Sequence, residues 1–157
     1  MGCGTYDAAD RDAYERAVAA RLGEAGLRRV EELRRRLAGA AGAQGERLLA
    51  ALGRLMEEAQ AYDALPETGD PVRVDRQGHE ETWGDVLRLQ AEGIEPAAFA
   101  AITCPVLMLH GDDDPHPGPG TFELLRRFVP QLLYRGFLRC GHRPWVERHA
   151  REPFLAA

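Results

Sequence analysis

The sequence predicts an α/β protein in two parts: a helical region over residues 1–95, then a strand–helix–strand unit with a parallel strand pair over residues 96–157. Three observations predict it. Up to Gly93 the apolar residues recur at three- and four-residue spacing, the mark of helices with one buried face. After Pro96 the pattern changes: Pro105 to Leu109 is a continuous apolar run, the mark of a strand buried on both faces, and Leu132 to Leu138 reads as the next strand. A helix-length segment separates the two, which fits a right-handed crossover and puts both strand ends on one side of the sheet.

Each element has its own signal. Asp7 offers an N-cap with Asp10 three positions on, and Tyr14, Val18 and Leu22 form one apolar face up to the breaking Gly23. A second helix turns Leu27, Val30, Leu33 and Leu37 inward and Arg28, Arg29, Arg34, Arg35 and Arg36 outward, and the Gly39 to Gly45 stretch ends it. The third carries Leu48, Leu49, Leu52, Leu55 and Met56 on one stripe and should run to about Ala64. Pro66, Gly69, Asp70 and Pro71 mark a loop, and Val72-Arg73-Val74 reads as an extended piece. Trp83, Val86, Leu87 and Leu89 suggest a fourth helix, with the two tryptophans, Trp83 and Trp145, expected as core or pocket wall. In the second part, Pro115 to Gly120 is a rigid loop, Thr121 caps a helix that faces Leu124, Leu125 and Phe128 inward, and Pro130 ends it.

Composition narrows the function classes. The net charge of -5 argues against a nucleic-acid binder, and no apolar run approaches the ~20 residues of a membrane helix. A cytoplasmic location is the expectation. Three cysteines, Cys3, Cys104 and Cys140, lack metal-site spacing and read as reduced thiols. Met1-Gly2-Cys3 suggests acylation, but that pattern needs Ser or Thr where Tyr6 stands. All positive charges are arginine, and serine is wholly absent.

The chemistry sits at the ends of the two expected strands. Asp114 follows the first and His142 the second, separated by about one loop, helix and strand, and neighbouring parallel strands lie ~4.8 Å apart. A carboxylate on one imidazole nitrogen fixes its tautomer and leaves the other nitrogen to take a proton. Asp112 and Asp113 compete for the acid role but read as turn and cap residues. His110, Asp112, Asp114 and His116 alternate and could gather four metal-binding groups, yet Pro115 and Pro117 break the strand geometry that alternation needs; no metal and no cofactor are expected. Cys140 precedes the histidine in a strand rather than in the sharp turn a nucleophile occupies. His79, His110 and His149 read as ordinary.

Ile102 to Phe154 resembles the C-terminal part of an α/β-hydrolase-fold enzyme, in the strand that ends in Gly111-Asp112-Asp113-Asp114 and in Gly141-His142 followed by Pro144 and Glu147. The resemblance implies that Asp114 is the acid and His142 the base of a catalytic triad. It also implies that Gly2 to Thr5 ends a preceding core strand, and that the helices after it are the lid of the pocket. The earlier strands, the oxyanion-hole loop and the Gly-x-Ser-x-Gly nucleophile turn are missing, and the helix after Arg151 is cut short at Ala157. The expectation is an incomplete α/β-hydrolase sheet. Such a lid and C-terminal lobe would hydrolyse a small-molecule ester or amide only if the N-terminal half is supplied, and would be inactive alone. It would have no nucleic-acid or membrane partner, and would tend to self-associate through an exposed strand edge. The alternative is a non-catalytic helical interaction module that binds an acidic partner through the arginine-faced helices between Leu27 and Ala64.

Overall fold

The computed structural model describes residues 5–66 and 73–157. The protein is mixed α/β and mostly helical, with five α-helices and one two-stranded parallel sheet among the described residues. None of these helices is long and apolar enough to cross a membrane. Expectations placed on Gly2, Cys3 and Gly4, and on Gly69 to Val72, lie outside the described residues, while Pro66, Arg73 and Val74 belong to no regular element.

Helix α1, Ala8–Ala38, begins where Asp7 caps it by accepting a hydrogen bond of 2.8 Å from the amide of Asp10. The two helices expected on either side of Gly23 are joined end to end across a kink at that residue. Its φ of 60° lies in the left-handed region that glycine tolerates best. Val18, Val30 and Leu33 are its buried residues, and Leu27, expected inside, is exposed.

Helix α2, Gly42–Gln60, packs along α1 through Leu48 and Ala59. It stops at Gln60, short of the expected Ala64, because the residues that follow are taken by another partner. Ala64 forms an antiparallel bridge with Glu147, and the amide of Leu65 donates to the carbonyl of Val146 at 2.7 Å.

Helix α3, Arg76–Ala91, is capped by Asp75 and buries none of its residues. Trp83 is 54% exposed, so its expected place in a core or pocket wall is corrected. Trp145 is also half exposed and lies against Phe154.

The sheet pairs β1, Val106–Gly111, with β2, Leu132–Phe137, in parallel, matching Val106 to Leu132 and Gly111 to Phe137. Helix α4, Gly118–Leu125, forms the crossover. Thr121 is buried inside this helix rather than capping it; the helix starts three residues earlier, with a proline in its first turn. One sheet face carries Met108 and Leu132 into a core with Val129, Phe122, Leu125 and Phe128. The other face is covered only toward its C-terminal end, where Phe137, Cys140 and Ala150 cluster with Leu109 and with Phe154 of α5, Arg151–Leu155. Burial on both faces is therefore corrected: Leu107 and Leu133 alternate onto the uncovered end and are 46% and 65% exposed.

Candidate active site

The two strands end beside each other, and glycine lets them come close. A Cβ on Gly111 would lie 2.2 Å from the carbonyl oxygen of Gly141 and 2.3 Å from that of Cys140, so only hydrogen fits there. The three aspartates after Gly111 then part company. The Asp112 amide extends the ladder by donating to the Phe137 carbonyl at 2.9 Å, and its carboxylate lies over Gly136. Asp113 grips Cys140 reciprocally, its amide donating to the Cys140 carbonyl at 2.9 Å and its carboxylate accepting the Cys140 amide at 3.3 Å.

Asp114 alone turns inward, and its Oδ2 accepts a hydrogen bond from Nδ1 of His142 at 2.8 Å. The Asp114 side chain is 2% exposed, whereas the His142 ring keeps 30% of its surface open. Burial works to raise the carboxyl pKa, but hydrogen bonds from the His116 and His142 rings and from the His116 amide outweigh it. The group is held well below the usual carboxylate range.

His116, which the sequence offered only as a member of an alternating set, is the second partner of Asp114. Its ring Nδ1 and its amide both donate to Oδ1, at 2.8 and 2.9 Å. Pro115 does not carry His116 away as expected. It tightens a turn in which the aspartate side chain bonds two residues on and folds the imidazole back onto the carboxylate. Of that alternating set, His110, Asp114 and His116 come together with His142, and Asp112 does not.

His110 lies beneath the acid with its ring against Gly118 and its Nδ1 donating to the Gly111 carbonyl at 2.8 Å. Burial lowers its pKa.

The helical region reaches into this site. Tyr14 of α1 stacks on His116 with ring centroids 4.3 Å apart, and His116 in turn lies 4.6 Å from the His142 ring. Gln60, at the end of α2, donates to the Tyr14 hydroxyl at 2.8 Å and accepts the His142 amide on its backbone carbonyl at 2.9 Å. Burial also raises the Tyr14 pKa, so its hydroxyl keeps its proton.

The whole junction is tied by Glu147, which is 1% exposed. Its Oε1 accepts the amides of Tyr62 at 2.8 Å and Gly141 at 3.0 Å, and its Oε2 accepts that of Asp63 at 2.7 Å. Comparison with protein-family models, with curated proteins and with solved structures finds no match for this chain. The site stands on its own geometry.

Sequence reasoning found Asp114 and His142 because both follow expected strands, and it noted Glu147 only as part of a resemblance. Tyr14, Gln60 and the role of His116 were missed. A tyrosine on an amphipathic helix and a glutamine at a helix end carry no local mark of a site, but the Asp-Pro-His sequence does announce an aspartate turn that brings a histidine back.

Cys140 is fully buried, its thiol donating to the Gly141 carbonyl at 3.4 Å. Burial first, and then the nearby carboxylates of Glu147 and Asp114, push its pKa up to about 12. It is a thiol at any working pH, which suits a packing role and not a nucleophile. Alkylation at pH 8 mapped by mass spectrometry should therefore modify exposed Cys104 more than about a hundredfold faster than Cys140 in the native protein. Denaturant should erase the difference.

Proposed function

We propose that this chain is the lid and C-terminal lobe of an α/β hydrolase of ester- or amide-type bonds, with Asp114 as the acid and His142 as the base. The observation that carries the reading is the 2.8 Å hydrogen bond from His142 Nδ1 to Asp114 at the ends of two parallel strands. In such a pair the carboxylate orients the ring and stabilises the imidazolium, and Nε2 takes the proton of the attacking hydroxyl. The carboxylate is buried and the imidazole half open, which suits one group that orients and one that meets substrate. Because the 157 residues contain no serine, the nucleophile on this reading comes from a separate segment, added along the uncovered part of the sheet where Leu107 and Leu133 are exposed. Without that segment the same apolar surface favours self-association.

The alternative of a helical module for an acidic partner has less behind it. Arg28, Arg29 and Arg36 on the proposed face are already paired with Glu24 and Glu32 of their own helix, so part of its positive charge is compensated within the helix.

The test is ester hydrolysis by the full chain, alone and co-expressed with the Gly-x-Ser-x-Gly segment that this reading expects the coding region around it to specify. The expected result is turnover only with that segment, with kcat lowered about 10³- to 10⁴-fold by His142→Ala or Asp114→Asn. Turnover by the chain alone that survives His142→Ala overturns the reading, and so does the lack of any such segment in the coding region.

A further inference from the structure

Asp114 presents one oxygen to each of two histidines, Oδ2 to His142 Nδ1 and Oδ1 to His116 Nδ1, both at 2.8 Å. One ring nitrogen of each histidine and one carboxylate oxygen all lie within 4.8 Å of one another. A tetrahedral transition-metal ion with bonds of ~2.1 Å to imidazole and carboxylate has its ligand atoms about 3.4 Å apart, so an ion entering in front of the carboxylate would widen the two 2.8 Å N···O contacts by about 0.6 Å. The ligands are also held in place. His116 is fixed between the rings of Tyr14 and His142, and Asp114 is fixed by the His116 amide.

A second observation points the same way. His110 is almost wholly buried, and with its Nδ1 proton given to the Gly111 carbonyl its Nε2 makes no hydrogen bond. That buried nitrogen, without a hydrogen bond of its own, faces Asp114 Oδ2 at 3.4 Å and so points into the same cluster.

We propose that Asp114, His116 and His142 bind a divalent transition-metal ion of the zinc class, and that the bound ion switches off His142 as a base. Two imidazoles and one carboxylate suit zinc, cobalt or nickel rather than magnesium or calcium. The second half of the proposal rests on the hydrolase reading. An ion on Nδ1 of neutral His142 takes that lone pair, and the single ring proton moves to Nε2, where a base needs its own lone pair free. Ion binding and proton abstraction therefore exclude each other at this ring.

The test is calorimetric titration of the full chain with Zn²⁺, joined to ring-nitrogen NMR of its histidines. The expected result is one ion per chain, weakened about tenfold or more by His116→Ala and by Asp114→Asn and unchanged by His79→Ala on α3, with His116 and His142 both passing to the Nε2–H tautomer on saturation. The tautomer readout uses the unaltered protein, so it stands even if a variant fails to fold. Equal binding by His116→Ala and Asp114→Asn overturns the proposal, as does zinc that leaves both tautomers where they were. The measurement needs no nucleophile, so failure of the hydrolase reading leaves ion binding in place. Active enzyme with no zinc binding removes the ion alone.

Discussion

Glu147→Ala should cost the protein about 3 kcal/mol or more of stability, read as a denaturation midpoint lowered in urea and a Tm lowered by roughly 6 to 12 °C. The carboxylate accepts three backbone amides from two distant segments, Tyr62 and Asp63 on one side and Gly141 on the other. Removing it strands all three donors, the Gly141 amide in a buried place and those of Tyr62 and Asp63 in partly buried ones, and each unsatisfied group carries a desolvation cost that grows with its burial. Glu147→Gln is the sharper probe. It keeps the shape but replaces one oxygen with an NH₂, which sets donor against donor, so it should still lose a large part of the effect. A loss below about 0.5 kcal/mol for both variants would show that the junction is held by something else.

Gly111→Ala should be comparably severe, again about 3 kcal/mol or more, since its methyl would meet two backbone carbonyl oxygens at 2.2 and 2.3 Å. Backbone held in a strand pair cannot step aside as a side chain can. Gly136→Ala, one residue before the end of the neighbouring strand, makes the contrast. The new Cβ would lie 2.4 Å from Asp112 Oδ1, but that atom ends an exposed side chain free to rotate, so the loss should stay under about 1 kcal/mol. Melting curves of the two variants side by side check the pair. Similar losses would mean that the strand ends are not packed as tightly as described.

What was legible in the sequence followed from period and punctuation. The run at Val106 announced a strand because an unbroken apolar stretch between Pro105 and Gly111 is too short for a helix, and a helix-length connection to the Leu132 segment left the two little choice but to run parallel. Asp114 was separable from Asp112 and Asp113 by position in the turn. The exposure of Leu107 and Trp83 was not legible, because periodicity shows which residues share a face and not whether anything covers it. The early end of α2 was hidden for a related reason: Tyr62, Asp63 and Ala64 have no strong aversion to helix, and only a carboxylate far along the chain pulls them away. Gly23 was rightly read as a break, yet the helix resumes at once, since a single glycine at positive φ redirects a chain without unwinding it.

The bonds that Glu147 makes to the end of α2 close a loop of 85 residues, whereas the pair at its centre, Asp114 and His142, closes one of 28. Loop-closure entropy grows only with the logarithm of length, so tripling the span adds about 1 kcal/mol to the ordering cost. Rate is more sensitive to such distant pairings than stability is. During folding the strand–helix–strand unit can therefore set the acid and the imidazole side by side early, while the ring of Tyr14 settles over His116 only once the longer closure is complete. The stacked aromatic face of the site then becomes a clock for the end of folding, and the slowest phase seen by a tyrosine signal at position 14 should trail the phase in which the sheet forms.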